Sequence, residues 1–146
     1  MRTAPTYDSI EAGRELPTFS RTPTTTQLVM YAGAEGDYVP LHFDHHIAVE
    51  MGHPGVIVHG WLTYAILLQA VSDWIPPGAG TITRASARYL KPTYPGDPVI
   101  CRGRVIRTSE QSGRRIIEIE THAENGHGEV TTTAAVTIEM ASTASR

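Results

Sequence analysis

A chain of 146 residues with 40% apolar content is long enough to bury one core and ordinary enough to set disorder aside. Its 12 basic and 15 acidic residues leave a formal net charge of -3 with neither sign gathered into a block, which removes the electrostatic footprint of a nucleic-acid or anionic-membrane binder. One cysteine, Cys101, excludes an intrachain disulfide, and no apolar run approaches the ~20 residues a bilayer span needs, so a reducing compartment, the cytoplasm, is expected.

In chain order, residues 1–14 read as a polar arm leading into a short strand near 15–21. Thr22-Pro23-Thr24-Thr25-Thr26 is a helix start, because threonine oxygens accept the free amides of a first turn. The helix over 27–34 carries Leu28, Val29, Tyr31 and Ala32, and Glu35-Gly36-Asp37-Tyr38-Val39-Pro40 breaks it. Asp44 caps a second short helix over 45–51, closed by Gly52-His53-Pro54-Gly55. After Val56-Ile57-Val58 and His59-Gly60 comes the most apolar helix, 61–74, with so few polar residues that most of its circumference is expected to be buried. Pro76-Pro77-Gly78-Ala79-Gly80 ends it, and strands are predicted over 81–90, 97–108, 114–123 and 129–140, separated by turn-forming segments. Residues 141–146 read as a tail. The expected whole, residues 1–146, is one α+β domain with an antiparallel sheet wrapped around a long central helix at about residues 60–74.

The chemistry-bearing residues gather between Tyr31 and Gly60. Asp37 and His42 sit on a glycine- and proline-punctuated loop, so they are held on a turn rather than stacked on a helix. His59-Gly60 opens the long helix, where the Gly60 amide has no intrahelical partner and the helix dipole favours negative charge. Cys101 lies in an apolar strand-like run with nothing beside it to make a thiolate, and reads as a buried thiol. His42, Asp44, His45, His46 and His53 form a dense imidazole and carboxylate stretch. Pro40 nevertheless places His42 outside the helix and HExxH is absent, so no metal is expected.

Gly36-Asp37-Tyr38-Val39-Pro40-Leu41-His42, then Ala48, resembles the signature of the MaoC-like dehydratases and (R)-specific enoyl-CoA hydratases, a hot-dog fold family that uses no metal. Ile57-Val58-His59-Gly60-Trp61-Leu62 is similar to that family's turn into its central helix, and the stretch from Arg88 to Asp97 to its following strand and turn. Two positions depart from the pattern: Val39, where members commonly carry asparagine, and Glu35, where they carry a small residue. The resemblance implies reversible syn hydration of a trans-2-enoyl thioester to an (R)-3-hydroxyacyl thioester, with Asp37 and His42 sharing one water and the Gly60 amide as oxyanion donor. His59, Trp61 and Tyr64 are the candidate substrate-binding residues, although His59 also reads as a residue bonding backbone to hold the turn. Arg84, Arg88 and Lys91 read as solvated.

No cofactor is implied beyond the coenzyme A or phosphopantetheine carried by the substrate, and neither nucleic acid nor membrane is an expected partner. An acyl-thioester-binding subunit of a heteromeric dehydratase and a hot-dog thioesterase are the alternative readings. Hot-dog domains pair sheet edge to sheet edge, so a homodimer or higher oligomer, or a heteromer with a related subunit, is expected.

Overall fold

The computed structural model describes residues 7–141. The first six residues of the expected arm and 142–146 of the expected tail lie outside the described residues.

The threonine-rich segment starts a helix as read. Thr24 accepts the Gln27 amide at 3.2 Å while the Gln27 side chain accepts the Thr24 amide at 2.9 Å, a reciprocal capping box. Helix α1 (Thr25–Glu35) buries Leu28 and Ala32 one turn apart and ends at Gly36, whose φ of 80° is a left-handed conformation that costs glycine nothing. Pro40–His42 then makes a single 3-10 turn where a plain loop was expected, since the fixed φ of proline suits a first helical position. Asp44 accepts the amides of His46 at 2.9 Å and Ile47 at 3.3 Å and so caps α2 (His45–Glu50).

Helix α3 (Gly60–Trp74) is the central helix, and four long strands follow it: β2 (Gly80–Tyr89), β3 (Val99–Gln111), β4 (Arg114–Glu124) and β5 (Val130–Met140). The short β1 (Phe19–Arg21) joins β3, giving one antiparallel sheet in the order β1-β3-β4-β5-β2. Register shifts at Ile82/Arg84, Val105/Arg107 and Ala123/Glu124 add twist, and the sheet curls around α3 in the hot-dog architecture.

The sheet decides what α3 buries. Val71, Trp74 and Ile75, at and just past its C-terminal end, pack with Ile10, Val105, Ile117, Ile119 and Ile138 in one cluster. Ile66, Leu67 and Ala70 meet Val99, Cys101, Ala123 and Ala134 in a second. The alternation along β3, β4 and β5 supplies these inward residues. The expectation that most of the helix circumference is buried fails along one stripe: Trp61, Ala65, Gln69 and Ser72 are exposed. One chain's sheet wraps only part of the cylinder. The outward face carries ion pairs such as Arg104–Glu120 and Arg107–Glu118, both 3.4 Å and solvent-exposed, which add little stability. No helix among the described residues is long and apolar enough to cross a membrane.

Candidate active site

Three chain segments bring the expected residues together. The loop after α1 carries Asp37, the 3-10 turn carries His42, and the segment entering α3 supplies His59 and Gly60. His42 Nδ1 lies 2.9 Å from the Ile57 carbonyl. A carbonyl only accepts, so Nδ1 carries the proton and Nε2 presents a lone pair. That lone pair faces Asp37, whose Oδ2 is 3.8 Å away while Oδ1 accepts the Val39 amide at 3.2 Å. Two acceptors at that separation do not bond each other, but one water can donate a hydrogen to each. The dyad is reachable: the His42 and Asp37 side chains keep 11% and 31% of their exposure.

His59 is 1% exposed and stacks on His42, ring centroids 3.8 Å apart with 20° between the planes. Tyr31 closes its far side edge-on, with centroids 5.1 Å apart. The stack fixes the plane in which the His42 ring lies and so keeps Nδ1 on the Ile57 carbonyl. Neither ring nitrogen of His59 makes a hydrogen bond of ordinary geometry, but the Asp37 backbone acts on the ring as an acceptor, so the reading of His59 as a residue that bonds backbone keeps a partial basis. Burial first, and then the neighbouring His42, hold its pKa below the ordinary imidazole value, against an opposing pull from Asp37. Burial and then the Glu35 carboxylate push the Tyr31 hydroxyl up to about 12, so the Glu35 departure acts on the floor of the site through Tyr31.

Asp37, His42 and His59 bring one potential ligand atom each within 4.8 Å of one another. Near-parallel rings 3.8 Å apart leave no point that lies in both ring planes at the roughly 2.0–2.1 Å of a zinc–nitrogen bond. One imidazole would have to leave the stack to share a metal. The stretch of His45, His46 and His53 contributes nothing to this cluster.

A cavity of about 300 Å³ opens beside the dyad, with His42, Gly60, Thr63, Tyr89, Thr93 and Thr132 in its wall. Asp37 is not part of that wall and is tied to it through His42. Gly60 begins α3, and a Cβ there would meet the Tyr89 ring at 3.1 Å, so the position is tight for any other residue. Tyr64 is half-buried beside Trp61, ring centroids 5.7 Å apart, whereas Trp61 itself is 59% exposed. Neither Trp61, Tyr64 nor His59 lines the cavity. Lys91 does line it and pairs with Glu129. A larger groove of about 590 Å³ runs between β2, β4 and β5 past Arg88, Glu120 and His122, but its acid and imidazole are already engaged with Arg104 and Glu124. Cys101 is buried, and burial pushes its thiol up to about 12, which keeps it protonated and inert.

Sequence reasoning missed the three threonines, Tyr89 and the Ile57 carbonyl. A threonine is ordinary on a strand, as at Thr132, and equally so in a helix or loop, as at Thr63 and Thr93, and a backbone acceptor has no signature in sequence.

Relatives were found by both sequence and structure. The chain is 27% identical over 111 residues to a mitochondrial 3-hydroxyacyl-[acyl-carrier-protein] dehydratase of Arabidopsis thaliana, covering 76% of this chain and 66% of that protein. It is 32% identical over 106 residues to 3-hydroxyacyl-thioester dehydratase Y of Mycobacterium tuberculosis, covering 71% of this chain and 35% of that protein. The chain therefore spans less than two thirds of either curated relative. An unliganded R-hydratase from Pseudomonas aeruginosa superposes with a TM-score of 0.83 over 92% of this chain and 84% of its own, at 20% identity, which is a likeness of fold. The family model described as MaoC like domain matches residues 9–129, most of the chain, and the protein belongs to that family.

Proposed function

We propose that this chain catalyses the reversible hydration of a trans-2-enoyl thioester to an (R)-3-hydroxyacyl thioester, carried on coenzyme A or an acyl carrier protein. The observation that supports it best is the facing pair of acceptors, Asp37 Oδ2 and His42 Nε2, 3.8 Å apart with His42 anchored through Nδ1. Water held between them attacks the β carbon while Nε2 takes one of its protons. The π electrons move onto the thioester oxygen, where the Gly60 amide at the head of α3 meets the negative charge. The imidazolium, beside the Asp37 carboxylate, returns that proton to the α carbon on the face from which oxygen arrived. One O–H bond breaks, a C–O and a C–H bond form, and the syn outcome follows from a single water and a single base. Dehydration runs the same steps backwards, and no cofactor or metal takes part.

The dehydratase names of the curated relatives point the same way. Incubation with crotonyl-CoA and, separately, with butyryl-CoA tests the reading. Loss of the enoyl absorbance with an (R)-3-hydroxybutyryl product supports it. Free thiol from butyryl-CoA makes the chain a thioesterase, and no change in either makes it a binding subunit. The long edge of β2, which among the described residues pairs only with β5, is the surface through which a second copy or a related subunit would extend the sheet.

A further inference from the structure

Seven polar or charged residues are buried among the described residues, and five of them are threonines that fall into two groups. Thr121 donates to the Arg102 carbonyl at 2.7 Å and Thr131 to the Ala123 carbonyl at 3.3 Å. These two lie away from the cavity and are satisfied within the sheet. Thr63 on α3, Thr93 in the loop after β2 and Thr132 on β5 are 2%, 6% and 1% exposed and all border the 300 Å³ cavity that His42 and Gly60 face. None of these three hydroxyls makes a hydrogen bond among the described residues.

That division has a physical meaning. Among the described residues only the His59 nitrogens lack both a partner and solvent contact, so the three hydroxyls, unpaired within the protein, keep what exposure they have toward solvent. Three such residues bordering one space offer hydroxyls that water holds until a ligand replaces it. The remaining wall, including Ile57, Val58, Leu90 and Pro92, is mostly apolar, so the hydroxyls are specific points rather than a wet surface.

We propose that this cavity receives an acyl group that itself carries a hydrogen-bonding oxygen, a hydroxyl or a carbonyl a few carbons beyond the double bond, recognised by Thr63, Thr93 and Thr132. The inference rests on the enoyl thioester hydration proposed above. A plain alkyl chain in the same place strands the three hydroxyls, and a site built around hydrogen bonds discriminates against the analogue that lacks them.

A matched pair of substrates with equal carbon count tests it: trans-2-hexenoyl-CoA and 5-hydroxy-trans-2-hexenoyl-CoA. The expected result is a kcat/KM at least about tenfold higher for the hydroxylated thioester, with Thr132→Val and Thr63→Val each shrinking that ratio about tenfold. Equal rates, a preference for the alkyl chain, or a ratio unmoved by either substitution overturns the inference while hydration itself stands. If the full chain hydrates neither thioester, the activity reading fails on its own. Calorimetric binding of the two thioesters then decides the inference: tenfold tighter binding of the hydroxylated one upholds it, and equal or absent binding overturns it.

Discussion

The two ends of α3 are built for different tasks. At the C-terminal end Val71, Trp74 and Ile75 enter an apolar cluster with Val105, Ile117 and Ile138. At the N-terminal end the same helix carries Thr63 and lies by His42 and Thr132, and all three border the cavity. One end holds the fold together. The other keeps polar groups unsatisfied and an amide free of intrahelical bonding, which weakens packing locally but leaves groups for a ligand to engage.

Substitutions that separate stability from turnover put this contrast at risk. The largest effect is expected for His42→Ala and Asp37→Asn, each lowering crotonyl-CoA hydration by about 10³-fold with a thermal midpoint within a few degrees of the parent. Near-parental turnover in either variant would remove that residue from the mechanism. Trp74→Ala, at the apolar end, should cost about 3–5 kcal/mol in urea unfolding while the turnover of the folded fraction stays near the parent value. If turnover per folded molecule fell as far as in His42→Ala, the two ends would not be separable.

Gly60→Ala comes next. The added Cβ lies 3.1 Å from the Tyr89 ring, so Tyr89 must yield, and a drop of about tenfold in kcat/KM with a small stability change is expected from the displaced wall. The smallest effect belongs to His59→Phe, which keeps an aromatic plate under His42. The folded-state pKa of His59 is depressed below the ordinary 6.5. As pH falls through that ordinary value the unfolded chain binds a proton that the folded chain refuses, so stability present above it is lost below it. Urea midpoints of the parent should therefore fall further than those of His59→Phe between about pH 7.5 and about pH 5.5, with the two running in parallel above neutrality. His59→Ala, which removes the plate, should lower kcat more than His59→Phe at every pH. Equal kcat for the two would mean that the stack does not position His42.

Much of this molecule was legible in the order of its residues. Thr24 with Gln27 three positions later is a local device, and so is Asp44 before α2; each needs only its own turn of chain. The existence and order of the four long strands followed from turn-forming segments and alternation, which are again local, whereas β3 runs on to Gln111 through part of the segment read as a turn and β1 shrinks to Phe19–Arg21. The proximity of Asp37 and His42 was visible for the same reason, since five positions on a broken loop keep two side chains close. The His42 tautomer was not legible, because it depends on the Ile57 carbonyl fifteen positions away. The stacking of His59 on His42 was equally hidden, and it adds a positioning role to the backbone-holding one first read for that histidine.

The order of residues determined the main helices, the four long strands and which acid and imidazole lie close in the chain, because caps, turns and periodicity act over a few residues. Tertiary structure alone decided which face of α3 stays open, and which threonines are satisfied by the sheet and which are left facing a cavity. Those outcomes depend on how a sheet assembled from distant strands closes around one helix, and no short stretch of chain contains that information.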